Sequence, residues 1–326
     1  MNSLQIVGIG GGTGLPVVLR GLAAEPHVNL SAIVAVTDNG GSSGRLRESF
    51  GLPAVGDLRN CLAALSGQQS MLGDLFQHRF FAGDVDGHSL GNLIVTALYQ
   101  KMGSLQRAVE IAGELLQLKG RVMPVTEVPA TLCARFHDGS AVRGESEISA
   151  AGKRIEHVWL EPQDIQPTLG ALEIIEAADV IVFAPGSLFT SLLPNLLVPK
   201  VAESIRRSRA VKILVCNLMT QPGETDNFSA CDHIRVLQGC LGDGGVDFCV
   251  VNSGAMPAGA SRYLNAGSRP VVADVDEIAA LGVTPVQSGL LHFDDEKVRH
   301  SPAELARLIV AIAHGNAQPW HISRAA

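Results

Sequence analysis

The 326-residue chain has no C-x-x-C pair, no lysine- or arginine-rich run and no G-x-x-x-x-G-K-[ST] stretch, and each absence removes a class of function. Its six cysteines, Cys61, Cys133, Cys216, Cys231, Cys240 and Cys249, stand singly, without a His-Cys ligand spacing and mostly among apolar neighbours. That pattern excludes a zinc ribbon or a redox dithiol and leads us to expect reduced structural thiols. The formal charge is −7, from 25 basic and 32 acidic side chains, which does not suit a protein held on nucleic acid by bulk electrostatics. No apolar stretch reaches the length of a membrane span, and the first ten residues run into an apolar strand without a basic leader, so a cytoplasmic location is expected. There is no internal repeat or low-complexity linker.

Hydrophobic residues make up 46% and charged residues 17%, with a mean hydropathy of +0.23, enough to bury a substantial core. Residues 4–9 and 31–36 are short, β-branched apolar runs that suit parallel strands buried on both faces. Between them Gly10, Gly11, Gly12 and Gly14 surround Thr13, where missing side chains let backbone N–H groups approach an anion at the start of the next helix. Thr13 occupies the place of the third glycine in G-x-G-x-x-G, so a dehydrogenase fingerprint is broken, although nicotinamide nucleotides stay compatible with the loop.

After the second strand come Asp38, Asn39, Gly40, Ser42 and Ser43, with Arg45 and Arg47 behind them. Asn39-Gly40 alone would signal a hairpin, but no pairing strand follows, so a second loop at the same sheet edge is expected. Asp38 could accept hydrogen bonds from a ribose or hold Mg²⁺ against a diphosphate. Asp57, Arg59 and Asn60 open a helix; Asp57 could be a cap, or with Asp38 form a metal pair. His88 and Asn92 precede another apolar helix, where a capping role competes with a ligand role. A helix from Ser104 to about residue 119 is scaffold.

Residues 121–162 change to short β-like runs and read as an antiparallel insertion within one α/β domain over 1–326. The alternation then resumes: a helix near 167–178, a strand at 180–184 with Gly186 and Ser187 in its exit loop, and a strand at 211–216 with Asn217 leading its exit. Strands at 246–251 and 271–275 complete a mostly parallel sheet of six or seven. Ser301-Pro302-Ala303-Glu304 is a capping box that places Arg299, a candidate anion contact as well as an ordinary surface residue, just before the last helix.

The segments GIGGGTGLPVVLRGL, AVTDNGGSSGRLR, GDLRNCLAAL, HSLGN, APGSLFTSLLPNLLVP and CNLMTQPGETD, in this order, resemble the YvcK/CofD-like family over residues 4 to about 315. The resemblance implies a Rossmann-like three-layer α/β fold. One branch of the family moves a phospholactyl group from a nucleotide diphosphate donor to a deazaflavin alcohol with Mg²⁺. The other is associated with cell shape during growth on gluconeogenic carbon sources and with binding UDP-N-acetylglucosamine. The second branch is the nearer likeness, so a regulatory binder is the first expectation and a Mg²⁺-dependent 2-phospho-L-lactate-type transferase the alternative. No Ser-His-Asp or Cys-His set with interpretable roles is present, no catalytic residue is named, no organic cofactor is required, and a homo-oligomer is compatible with the chain.

Overall fold

The computed structural model describes residues 3–67, 70–254, 261–294 and 297–315. Twelve strands occur among them: β1 (Leu4–Gly10), β2 (Val28–Val34), β3 (Arg121–Pro124), β4 (Thr131–Phe136), β5 (Ala141–Arg143), β6 (Ile155–Glu161), β7 (Val180–Phe183), β8 (Val211–Val215), β9 (Phe248–Asn252), β10 (Thr284–Ser288), β11 (Leu291–Asp294) and β12 (Lys297–His300). Seven pair in parallel in the order β10-β9-β8-β7-β1-β2-β3. Alternation along each strand feeds two cores. Val7, Ile9, Ile33, Ile181 and Phe183 pack on one face, and Ile6, Ala32, Val34, Val180 and Val182 on the other. Each buried Val or Ile contributes about 1.5–3 kcal/mol, which explains why the central strands are continuously apolar. The last helix, Pro302–Ala313, lies so close to Gly14–Leu22 that a β-carbon on Gly21 would stand 2.0 Å from the Pro302 carbonyl oxygen.

Three local expectations are corrected. Arg121–Pro124 pairs parallel with β2 and is the sheet's edge, so the antiparallel sheet, β5-β4-β6, begins only at Thr131. Within that unit, Glu145–Ala151 is a helix, because Gly144 at φ +106° ends β5 in a conformation that a side chain opposes. Residues 271–275 do not form a strand; the acid-rich first turn of the helix Val275–Ala280 follows, and β10 takes the edge. Arg299 stands just before the last helix, in β12 of the β11–β12 hairpin, and His300 Nε2 meets the Cys216 carbonyl oxygen at 3.0 Å. The six cysteines are all unpaired, and no described helix is long and apolar enough to cross a membrane.

Candidate functional site

Strand order reverses direction between β1 and β7, and in open parallel sheets a crevice opens at such a point beyond the strands' C-terminal ends. The loops leaving these two strands touch main chain to main chain. A β-carbon on Gly14 would lie 1.7 Å from the Pro185 carbonyl oxygen, so only glycine lets the loops meet. Gly12, at φ +60°, turns its N–H to Asp57 Oδ2 at 2.6 Å. Asn195 braces this floor from below, donating from Nδ2 to the Gly10 and Ser191 carbonyl oxygens at 3.1 and 2.9 Å. Asn217 clasps the Gly186 peptide from both sides, accepting from its N–H at 2.7 Å and donating to its carbonyl oxygen at 2.6 Å. Ser187 caps the π-helical turn Leu188–Leu192 by accepting from Thr190 N–H, and its hydroxyl donates to Glu224. Burial pushes the Glu224 carboxyl up, against the pull of these hydrogen bonds.

One wall is acidic. Asp38 Oδ1 accepts from Gly40 N–H at 2.8 Å, and its other oxygen faces Gly56, next to Asp57. Burial raises the Asp57 carboxyl to about 6; Asp38 adds to the rise, while the Gly12 N–H and the Asn60 side chain oppose it. Glu145, at the start of the insertion helix, is raised to about 9 by burial and then by Asp38, Asp57 and Glu224. Arg47 holds this wall together by donating to the carbonyl oxygens of Thr37, Asp38 and Ala130 at 2.8, 3.2 and 2.8 Å.

The expected second loop is a loop only as far as Gly40, which opens the helix Gly41–Phe50. Ser42 Oγ lies 2.9 Å from His88 Nδ1 and accepts from Asn92 Nδ2 at 3.0 Å, and Asn92 Oδ1 accepts from Arg59 Nε at 3.3 Å. Ser43 is buried against Gly56. Asn39, by contrast, is occupied by the insertion: it donates to Glu147 at 2.8 Å and accepts from Ser146 N–H at 2.9 Å. Across the floor, Arg299 Nη1 reaches Thr13 Oγ1 at 3.5 Å. A cleft of about 330 Å³ lies there, bounded by Thr13, Gly186, Asn217, Gln221, Tyr263 and Arg299. Larger grooves of about 830 and 1010 Å³ open elsewhere, the first at the N-terminal ends of β1 and β2, away from the converging loops.

The family model for 2-phospho-L-lactate transferase CofD matches residues 6–291, which include the loops after β1, β2, β7 and β8 but not Arg299. The chain belongs to the CofD family. Among its CofD-family relatives, the gluconeogenesis factor of Bacillus subtilis is 44% identical over 94% of this chain and 97% of its own length. That of Listeria innocua is 42% identical, over 94% and 95%. A crystal structure of a Bacillus halodurans protein superimposes with a TM-score of 0.92 at 41% identity, covering 95% of this chain and all of that one.

In this CofD-family site Asp38, Asp57 and Asn60 stand beside the glycine floor, Arg59, His88 and Asn92 form an adjoining cluster tied together through Ser42, and Arg299 faces the floor from the hairpin. Asn39 and Asn217 are instead consumed by internal hydrogen bonds. Glu145, Glu224 and Asn195 also shape the site, and the sequence alone does not single them out. Glu145 lies in a run whose pattern suggests a strand, and Glu224 gives only the weak signal of a carboxylate in the exit loop of β8. Asp38 and Asp57 suit a divalent cation in their chemistry: two carboxylates held together, one of them pushed up by burial and by the other. They do not join a third His, Cys, Asp or Glu atom in a group within 4.8 Å. Among the described residues such a group occurs only at Cys231, Asp274 and Glu277.

Proposed function

We propose that the chain is a cytoplasmic nucleotide-sugar-binding regulator that serves cell shape during growth on gluconeogenic carbon sources, with UDP-N-acetylglucosamine as its ligand. The observation that carries this reading is the main-chain floor between the loops of β1 and β7, faced by the cleft under Arg299. Diphosphate oxygens would take the N–H groups of Gly11, Thr13 and Gly14, at the start of the helix Gly14–Leu22, where partial positive charge favours an anion, while the Gly12 N–H stays with Asp57. Arg299 would add a charge-assisted contact from the hairpin. High identity to gluconeogenesis factors over nearly full length supports the regulatory setting.

The acidic wall and the family model support a second reading, a Mg²⁺-dependent transferase acting on a nucleotide diphosphate donor. Asp38 and Asp57 would hold the cation, which supplies charge neutralisation at the diphosphate. The floor would fix the donor, and the loops would set the distance to an acceptor, since transfer between bound substrates rests on positioning and electrostatics.

Calorimetry with UDP-N-acetylglucosamine and Mg²⁺, followed by mass spectrometry of the nucleotide in the presence of candidate acceptors, separates the two. Saturable binding with intact ligand is expected. Arg299→Ala should weaken binding by about 1.5–3 kcal/mol, the range for a charge-assisted hydrogen bond. Release of a nucleoside mono- or diphosphate with a transferred group would replace the regulator with the transferase.

A further inference from the structure

Beside the acidic wall stands a basic corner that the proposed ligand does not use. Arg45 Nη2 donates to the Asp86 carbonyl oxygen and passes 3.0 Å from where a β-carbon of Gly87 would stand. Arg79 Nη1 donates to the Gly87 carbonyl oxygen. Arg59, almost fully buried, donates to the side-chain oxygens of Gln77 and Asn92. His88, equally buried, is held by Ser42. All the hydrogen-bond acceptors of the three guanidiniums are neutral carbonyl or amide oxygens. Among the described residues no carboxylate forms an ion pair with any of them. Asp84 and Asp86 stand on the same turn without pairing, and Asp57 attracts Arg59 without forming an ion pair with it.

Gathering like charges in this way is costly. Burial, Arg45 and Arg79 lower His88. In a chain of net charge −7, three guanidiniums around one turn, satisfied only by neutral acceptors, match the fork geometry that binds phosphate or carboxylate.

We propose that Arg45, Arg59, Arg79 and His88 form a second oxyanion subsite, separate from the glycine floor, that takes the phosphate or carboxylate of a second small ligand. The inference goes beyond the nucleotide-sugar reading and does not require it. Ser42, which touches His88 and lies on the helix following Asp38, joins the two subsites.

The test uses inorganic phosphate as probe and the His88 imidazole as reporter, in the full chain labelled for histidine NMR, with His88→Gln identifying the resonance. Phosphate should move the His88 signal saturably and raise its titration midpoint, because an anion relieves the repulsion from the arginines. Arg79→Gln and Arg45→Gln, both at exposed positions, should each weaken that response about tenfold, the loss of one charge-assisted hydrogen bond. The response should persist with UDP-N-acetylglucosamine bound. A stationary His88 signal in folded protein, an undiminished response in both variants, or a response abolished by the nucleotide sugar would each overturn the proposal. Arginine-dependent movement of His88 in a protein that fails to bind the nucleotide sugar would leave this subsite standing while removing the proposed function.

Discussion

Asp57→Asn should make the protein more stable and its metal-dependent ligand binding weaker. The Asp57 carboxyl is raised from 3.8 to about 6, chiefly by burial. Two pK units correspond to about 3 kcal/mol. Asp57 keeps part of its surface in solvent, so screening reduces the expected gain at neutral pH to roughly 1–2 kcal/mol. Between pH 4 and 6 the folded chain holds a proton that the unfolded chain has released. Unfolding free energy therefore falls as pH rises through that window and is flat above it. Asn keeps an oxygen for the Gly12 N–H but carries no charge, so the variant should lack this slope. Scanning calorimetry from pH 4 to 8 reads the effect as a Tm higher by roughly 2–5 °C at pH 7.5, converging on the parent toward pH 4. In parallel, calorimetric titration should show Mg²⁺-dependent nucleotide affinity reduced. A variant that melts lower at neutral pH and keeps the parent's pH slope would refute the assignment of that slope to Asp57.

Asn39→Ala removes both side-chain bonds to the insertion helix; we expect a loss of about 1–2 kcal/mol and faster hydrogen exchange across residues 145–151. His300, buried and held near 4 against an ordinary 6.5, refuses a proton that the unfolded chain accepts, so stability is lost as pH falls from about 6.5 toward 4. His300→Gln should flatten that acid limb, by at most about 3 kcal/mol, in urea titrations at pH 5 and 7. Gly14→Ala forces a β-carbon onto the Pro185 carbonyl oxygen and should cost roughly 3 kcal/mol or more, or abolish soluble expression; a variant with parental Tm would contradict the contact.

What the sequence disclosed was local. Glycine loops follow apolar runs, and their order along the chain located the sheet edge and most of its polar groups. What it hid depends on partners far away in sequence. Arg121–Pro124 is a four-residue apolar run like those in the insertion, and only pairing with β2 decides its direction. Glu145 enters the site because Gly144 bends the chain and Asn39, more than a hundred residues earlier, receives the helix that follows. The same bonds withdraw Asn39 from the ligand: composition displays an amide, but not whether the fold has already spent its hydrogen bonds.

The contact between the Gly14 and Pro185 loops means that the proposed socket for an anionic group is main chain on both sides. Main chain carries no residue identity, so it offers the same grip to any diphosphate and cannot tell one head group from another. In the proposed site discrimination would fall to two attachments beside it, the β11–β12 hairpin with Arg299 and the β5-β4-β6 unit, whose helix carries Glu145. These behave as exchangeable fittings on a common socket: grafting either onto a related chain should transfer ligand preference while leaving the parallel sheet untouched.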